Sequence, residues 1–144
     1  MKELYYPIAL KLKAKPALVV GGGQVAERKV KTLLQFGAEV RVISPNLTIS
    51  LKKLLRSRNI TWMRRVVRSS DIKDYYIVIA ATSDTTVNKN ISKWAKKRGI
   101  LVNIVDRALL SSFISPAILR TSKAVVAVYT HGQDPVLSRD LKNF

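Results

Sequence analysis

An open, mostly parallel α/β sheet with helices on both faces is the fold class this sequence predicts, and three observations predict it. Short apolar, β-branched runs alternate with segments of helical period. A glycine triplet falls between the first such run and the first helical segment. The length, 144 residues with 47% hydrophobic, suffices for one domain with a real core and a short appendage.

Taken in order, residues 17–20 (ALVV) follow Pro16 and precede three glycines, the pattern of a buried parallel strand. Over 25–36, Val25, Ala26, Val30, Leu33 and Leu34 recur at helical spacing, and Gly37 stands where a helix-ending glycine belongs. Residues 39–43 (EVRVI) alternate as a second strand, which stops at Ser44-Pro45-Asn46 because Pro45 cannot donate to a ladder. A short helix over 47–56 follows, then a third strand over 60–67 carrying Ile60, Trp62 and Val66. Residues 76–81 (YIVIAA) are almost wholly apolar and predict a central strand covered on both faces. Thr82-Ser83-Asp84 caps a helix reaching about Arg98, with Val87, Ile91, Trp94 and Ala95 inward and Gly99 at its end. A fifth strand over 101–105 (LVNIV) ends at Asp106.

The first 106 residues therefore read βαβαβ-αβαβ, the Rossmann-type order. Then the rhythm changes. Strands over 113–119 and 124–130 flank Thr121-Ser122-Lys123 with no helix between, which predicts a β-hairpin appended to the sheet. Residues 137–144, after Pro135, predict the first turns of a helix.

Composition excludes several classes. There is no cysteine, hence no disulfide, thiolate zinc site, iron–sulfur cluster or cysteine nucleophile, and a single histidine, His131, makes no multi-histidine cage. No segment approaches ~20 apolar residues and the first residues do not read as a signal peptide, so a cytoplasmic protein without a membrane partner is expected. Against 26 Lys and Arg stand 9 Asp and Glu, a formal charge of +17 that attracts polyanions without choosing among them. The clusters Lys52, Lys53, Arg56, Arg58, then Arg64, Arg65, Arg68, then Lys93, Lys96, Lys97, Arg98 read as solvated faces. Aromatics are only 7%, with no base-stacking or helix-turn-helix signature, so no specific nucleic-acid partner is expected.

The sharpest motif is Gly21-Gly22-Gly23-Gln24-Val25-Ala26, a G-x-G-x-x-A between predicted strand and predicted helix. There Gly21 permits the tight turn, Gly23 lets a pyrophosphate approach the backbone, Ala26 lets the helix pack closely, and the helix start offers N–H donors. The division that follows is 1–110 for NAD(P) binding and 111–144 for the hairpin and the residues after it. The acid expected at the end of the second strand to hold the ribose is missing. Ribose contacts fall instead to the Ser44 hydroxyl, the Asn46 amide or the backbone, while Arg41 either meets a 2′-phosphate or points to solvent. NAD is preferred and NADP stays open.

With these residues placed, the sequence resembles the dehydrogenase domain of siroheme synthase, the precorrin-2 dehydrogenase family. The resemblance lies in GGGQVAERK (21–29), the Val-Ile-Ser-Pro strand end, IAATSDTTVN (79–88), LVNIVD (101–106), SFISPAIL (112–119) and AVYTHGQDPVLSR (127–139). It implies NAD-dependent oxidation of precorrin-2, a tetrapyrrole with eight carboxylates, to sirohydrochlorin in siroheme biosynthesis. Some members also insert ferrous iron, and members form homodimers through the region after the sheet, which by resemblance makes 111–144 the hairpin and the start of a dimerisation or substrate region. By position it implies Gly22, Gly23, Gln24 and Val25 on the pyrophosphate, Pro45 and Asn46 beside the adenosine, and Thr82 and Ser83 near the nicotinamide. Asp106 matches the acid used in dehydrogenation. Thr130 falls where members carry Ser or Thr near the substrate, and His131, beside it, is a candidate substrate contact where the family has a small residue. No metal ligands are assigned. Members continue into a helical segment near whose start this sequence ends.

Asp106 is also a reasonable choice on chemistry alone, because open α/β sheets place ligands at the carboxyl ends of their strands. Dehydrogenation removes a hydride from carbon and a proton from elsewhere, and a carboxylate there can accept that proton. The competing reading is a non-catalytic NAD(P)-binding module that senses redox state, which would need the glycine loop but neither Asp106 nor the F-x-x-P hairpin.

Overall fold

Pro16 fixes the entry to the first strand, and the four apolar residues behind it are buried. They have no polar face to show water, so they must lie at the middle of a sheet covered on both sides. The computed structural model, which describes residues 3–130 and Asp140, places them there. Strands β1 (Pro16–Val20), β2 (Glu39–Ile43), β3 (Ile60–Met63), β4 (Ile77–Ala80) and β5 (Leu101–Ile104) form a parallel sheet in the order β3-β2-β1-β4-β5. Chain order reverses between β1 and β4, the place where open sheets of this kind leave a crevice.

Helices α1 (Gln24–Gln35), α2 (Ile49–Arg56) and α3 (Thr85–Lys97) connect the strands. The register puts Leu18, Val78 and Val102 in one row and Val20, Ala80 and Ile104 in the next; with Ile91 and Ala95 of α3 they form one core. The alternate residues Ala17, Val19, Val40, Val42 and Ile79 point to the other face, which Ala26, Val30 and Leu33 of α1 and Leu51 of α2 cover. The predicted Rossmann-type sheet with helices on both faces is thus the fold observed.

Two details differ from the expectation. Strand β3 ends at Met63 instead of continuing to Val67, because its ladder partner β2 ends opposite it at Ile43. The chain then turns, Arg65 N–H donating to the Met63 carbonyl at 3.0 Å. The crossover to β4 carries a single 3-10 turn, Ser69–Asp71, where the βαβαβ-αβαβ pattern expects a helix. Buried Val67 and Ile72 anchor that crossover in the α3-side core, so two apolar plugs replace a helical stripe.

The edge at β5 is closed by two serines. Ser112 Oγ accepts Val102 N–H at 2.9 Å and Ser111 Oγ accepts Ile104 N–H at 2.8 Å, satisfying donors a sheet edge would otherwise expose.

Strands β6 (Ala117–Arg120) and β7 (Val125–Val128) pair antiparallel as predicted, but as a sheet of their own; they are not appended to the five-stranded one. Thr121 makes the turn, its N–H donating to the Ala124 carbonyl at 2.8 Å and its hydroxyl accepting Ala124 N–H at 3.0 Å. The chain divides into two compact units. One is Leu10–Ser112; the other joins the segment up to Ala9 with the chain from Phe113 on. Within the second, Tyr129 Oη donates to the Tyr5 carbonyl at 2.8 Å, and the two rings meet edge-on at 6.4 Å. His131 and the predicted helix start at 137–144 lie outside the described residues, apart from Asp140, which is helical. Among the described residues no helix is long and apolar enough to cross a membrane.

Candidate functional site

Where β1 turns into α1, backbone approaches leave no room for side chains. Gly21 has φ +124°, a region that disfavours any residue with a Cβ, and a Cβ there would collide with the Ala81 carbonyl that follows β4. At Gly22 a Cβ would strike the Asn46 carbonyl and lie 2.6 Å from Ser44 Oγ. The loop is tied on both sides, Gly21 N–H donating to the Ile43 carbonyl at 3.0 Å and Thr48 N–H to the Gly22 carbonyl at 3.0 Å.

Gly23 is different. Its φ is −88° and a Cβ built on it meets nothing within 4 Å, so neither strain nor packing within the chain demands a glycine there. The open space belongs to the cleft, and a glycine is what a group resting on the backbone would require. Gly23 is also the N-cap of α1 and supplies no side-chain cap. In contrast α2 is capped by Thr48, whose hydroxyl accepts Leu51 N–H, and α3 by Asp84, which accepts Thr86 and Val87 N–H at 2.9 and 3.1 Å. The first amides of α1 have no partner within the helix and open onto the cleft, where they and the helix dipole favour an anion.

The cleft has a volume of about 600 Å³. Gly21, Gly22, Gly23, Gln24 and Val25 line one side, Ser44 and Pro45 the end beyond β2, and Thr82, Ser83 and Asp106 the ends of β4 and β5. Of the residues singled out in the sequence, these ten come together. Asn46 does not line the cleft; it is exposed, and its carbonyl accepts the Ser44 hydroxyl at 2.7 Å. Ser44 is buried and spends its hydroxyl on that turn, while Trp62 Nε1 donates to its carbonyl at 2.9 Å. Arg41 lies two positions before the end of β2, outside the cleft, with Nε donating to Thr61 Oγ1 at 3.0 Å. Thr130 follows β7 in the second unit and is half-buried.

The loop after β4 is held by a residue type that the helical reading passes over. Thr82 Oγ1 donates to buried Asn88 Oδ1 at 2.7 Å, and Asn88 Nδ2 returns a bond to the Thr82 carbonyl at 3.0 Å. Its signal was the polar asparagine one turn into α3, at the end of the quoted 79–88 motif. Asp106 takes a left-handed conformation, φ +61°. Ser111 brackets it, accepting from Ile104 N–H and donating to the Arg107 carbonyl at 2.9 Å.

Lys29, one helical turn after cleft-lining Val25, is half-buried. Burial pulls its ammonium below the usual lysine range, and the negative charge of Asp106 opposes that fall, which puts the two groups within electrostatic reach. Reasoning from spacing also missed Arg65, which lines the cleft beside Val66 and Val67. Asp71 grips it with two bonds, NH1 to Oδ2 at 2.7 Å and NH2 to Oδ1 at 2.6 Å. The Arg65 bond holds the Asp71 carboxyl below the usual aspartate range, with help from Arg68 N–H at 2.7 Å. Among the described residues no cluster of His, Asp and Glu could hold a metal ion.

A parallel sheet reversed at β1 and β4, an uncapped helix start and three glycines with separate backbone roles define a dinucleotide-binding domain, and its cofactor is of the NAD type. A family model described as "Putative NAD(P)-binding" matches residues 8–117, and the chain belongs to that family. Siroheme synthase 1 of Serratia proteamaculans is 43% identical over 138 residues, which are 96% of this chain and 29% of that protein. Siroheme synthase of Blochmanniella floridana is likewise 43% identical over 138 residues, 96% of this chain and 30% of the other. The chain thus spans about three tenths of the length of these curated relatives. The solved structure of SirC, a precorrin-2 dehydrogenase, superposes with a TM-score of 0.85 at 29% identity, over 96% of this chain and 68% of that one. D-lactate dehydrogenase from Escherichia coli (TM-score 0.53, 15% identity, 72% of this chain and 32% of that one) shares the fold alone.

Proposed function

We propose that this chain carries out the NAD-dependent dehydrogenation of precorrin-2 to sirohydrochlorin in siroheme biosynthesis. The observation that carries the reading is that Asp106 opens onto the same cleft as the uncapped start of α1. The relatives named for siroheme synthesis and precorrin-2 dehydrogenation support the substrate.

When bound, the nicotinamide cofactor accepts a hydride. The chain's own residues do the rest. The amides of Gly23, Gln24 and Val25 would hold the pyrophosphate, Ser44 and Pro45 border the adenosine end, and the Thr82–Asn88 pair keeps the loop at the nicotinamide end rigid. Precorrin-2 loses a hydride and a proton in all, and the Asp106 carboxylate, which lines the cleft, would take the proton. Lys29 lies within electrostatic reach of that carboxylate. The net charge of +17 speeds the encounter with an eight-carboxylate substrate, an effect that added salt would weaken. A cytoplasmic homodimer is part of the reading; exposed Val125 and Val126 on β7 support self-association through the hairpin.

The test is to mix the purified chain with NAD and precorrin-2 and follow NADH together with the spectral change to sirohydrochlorin. Asp106→Ala is expected to lower kcat by roughly 10²–10⁴-fold while NAD affinity, read by calorimetry, stays within a factor of about two. Cofactor binding without any turnover would favour the redox-sensing module. Ferrous iron added to the product tests chelation separately.

A further inference from the structure

The sequence lacks the acid that normally selects a ribose hydroxyl at the end of β2, and the structure offers another device close by. Arg65 is the arginine among the described residues that line the cleft, and its backbone N–H donates at 3.0 Å to the same Met63 carbonyl that accepts the N–H of Ser44 at 3.2 Å. An arginine beside the adenosine ribose ordinarily accommodates a 2′-phosphate. This one has few donors left. Of its five N–H groups, the two on NH1 go to Asp71 Oδ2 and the Val66 carbonyl, and NH2 reaches Asp71 Oδ1 and the Met63 sulfur. Asp71 is itself held by Arg68 N–H across the 3-10 turn, and its side chain is only 12% exposed. The clamp is built into the crossover that replaced the expected helix.

We infer that Asp71 is a specificity-determining positioning residue: by occupying the guanidinium of Arg65 in a bidentate pair, it withholds from the cleft the cation that a 2′-phosphate would need, and so selects NAD over NADP. The inference rests on the reading of the cleft as an NAD site. A neutralised pair beside the ribose leaves a 2′-phosphate, with its charge of about −2, without a partner, whereas a 2′-hydroxyl needs none.

Calorimetric titration of the whole chain with NAD, NADP, 5′-AMP and 2′,5′-ADP tests it without any turnover. The wild-type chain is expected to bind NAD at least tenfold more tightly than NADP, and 2′,5′-ADP no more tightly than 5′-AMP. Asp71→Asn removes the charge and one of the two acceptors, and is expected to move the NAD-to-NADP affinity ratio at least tenfold toward NADP. Adding Arg65→Gln to that variant should cancel the shift, and Asp71→Glu should restore the wild-type ratio. A purely structural role would weaken both cofactors together and leave the ratio alone. An unchanged ratio in a folded Asp71→Asn variant overturns the inference, as does tighter binding of 2′,5′-ADP than 5′-AMP by the wild type, a measurement that stands even if the variant does not fold. Binding of neither cofactor overturns the NAD reading itself, and the inference with it.

Discussion

The two sides of the cleft are built by opposite means. Around Gly21 and Gly22 the geometry is backbone against backbone, the loop pressed onto the Ala81 and Asn46 carbonyls so closely that a methyl group has no place. Across the cleft, beyond β3, the wall is side chain against side chain, Arg65 locked to Asp71 on a crossover with no regular helix. The first kind of wall tolerates no substitution and barely depends on pH. The second keeps its backbone when the pair is broken but changes what it presents to a ligand.

The largest effect should come from Gly22→Ala, which forces a Cβ into the Asn46 carbonyl. Relief requires moving backbone, so a loss of about 2–4 kcal/mol, read by urea unfolding, is expected, with NAD binding lost too. Stability within about 0.5 kcal/mol of wild type would break the claim that this wall is rigid. Gly23→Ala sharpens the comparison from inside the same loop. Its Cβ meets nothing in the protein, so stability should change by less than about 1 kcal/mol while NAD affinity falls at least tenfold; the reverse pattern would move the cofactor off the helix start.

Smaller effects belong to the side-chain devices. Removing the α3 cap with Asp84→Ala should cost about 1 kcal/mol, seen as a lower Tm, and should loosen the Thr82 loop through the shared first turn of α3. The acid limb of stability tests the far wall. The Asp71 carboxyl is lowered in the folded protein, by the Arg65 bond first. Its contribution is therefore fully present above the ordinary aspartate range and is lost as the pH falls through the folded value. Over that window Asp71→Asn should lose less stability than wild type, and parallel pH profiles for the two proteins would show that the pair does not couple to folding.

Much of this architecture could be read from the chain, because its parallel strands are buried on both faces and so appear as short apolar runs. Residues 17–20, 39–43 and 76–81 announced β1, β2 and β4 nearly to the residue. The reading failed where pairing, not composition, set the boundary: Ile60 to Val67 has the residues of a strand, yet the ladder stops at Met63 because β2 stops at Ile43. Nor does composition show that the Ser44 hydroxyl donates within its own turn, to the Asn46 carbonyl. Ser111 and Ser112 give no periodic signal at all, since their work is to satisfy N–H groups of an edge strand identifiable only once strand order is known.

By itself, the sequence determined the sheet, the alternation and the glycine loop, because those follow from local conformational limits and from a hydrophobic period that each segment carries within itself. Only the tertiary structure decided that Gly21 and Gly22 are compelled by neighbours some 25 to 60 positions away in the chain, that Asp106 and the start of α1 share one cleft, and that Arg65 is held by Asp71. Steric exclusion, a common cavity and an ion pair depend on distances through space, which residue order does not contain until the crossovers have closed.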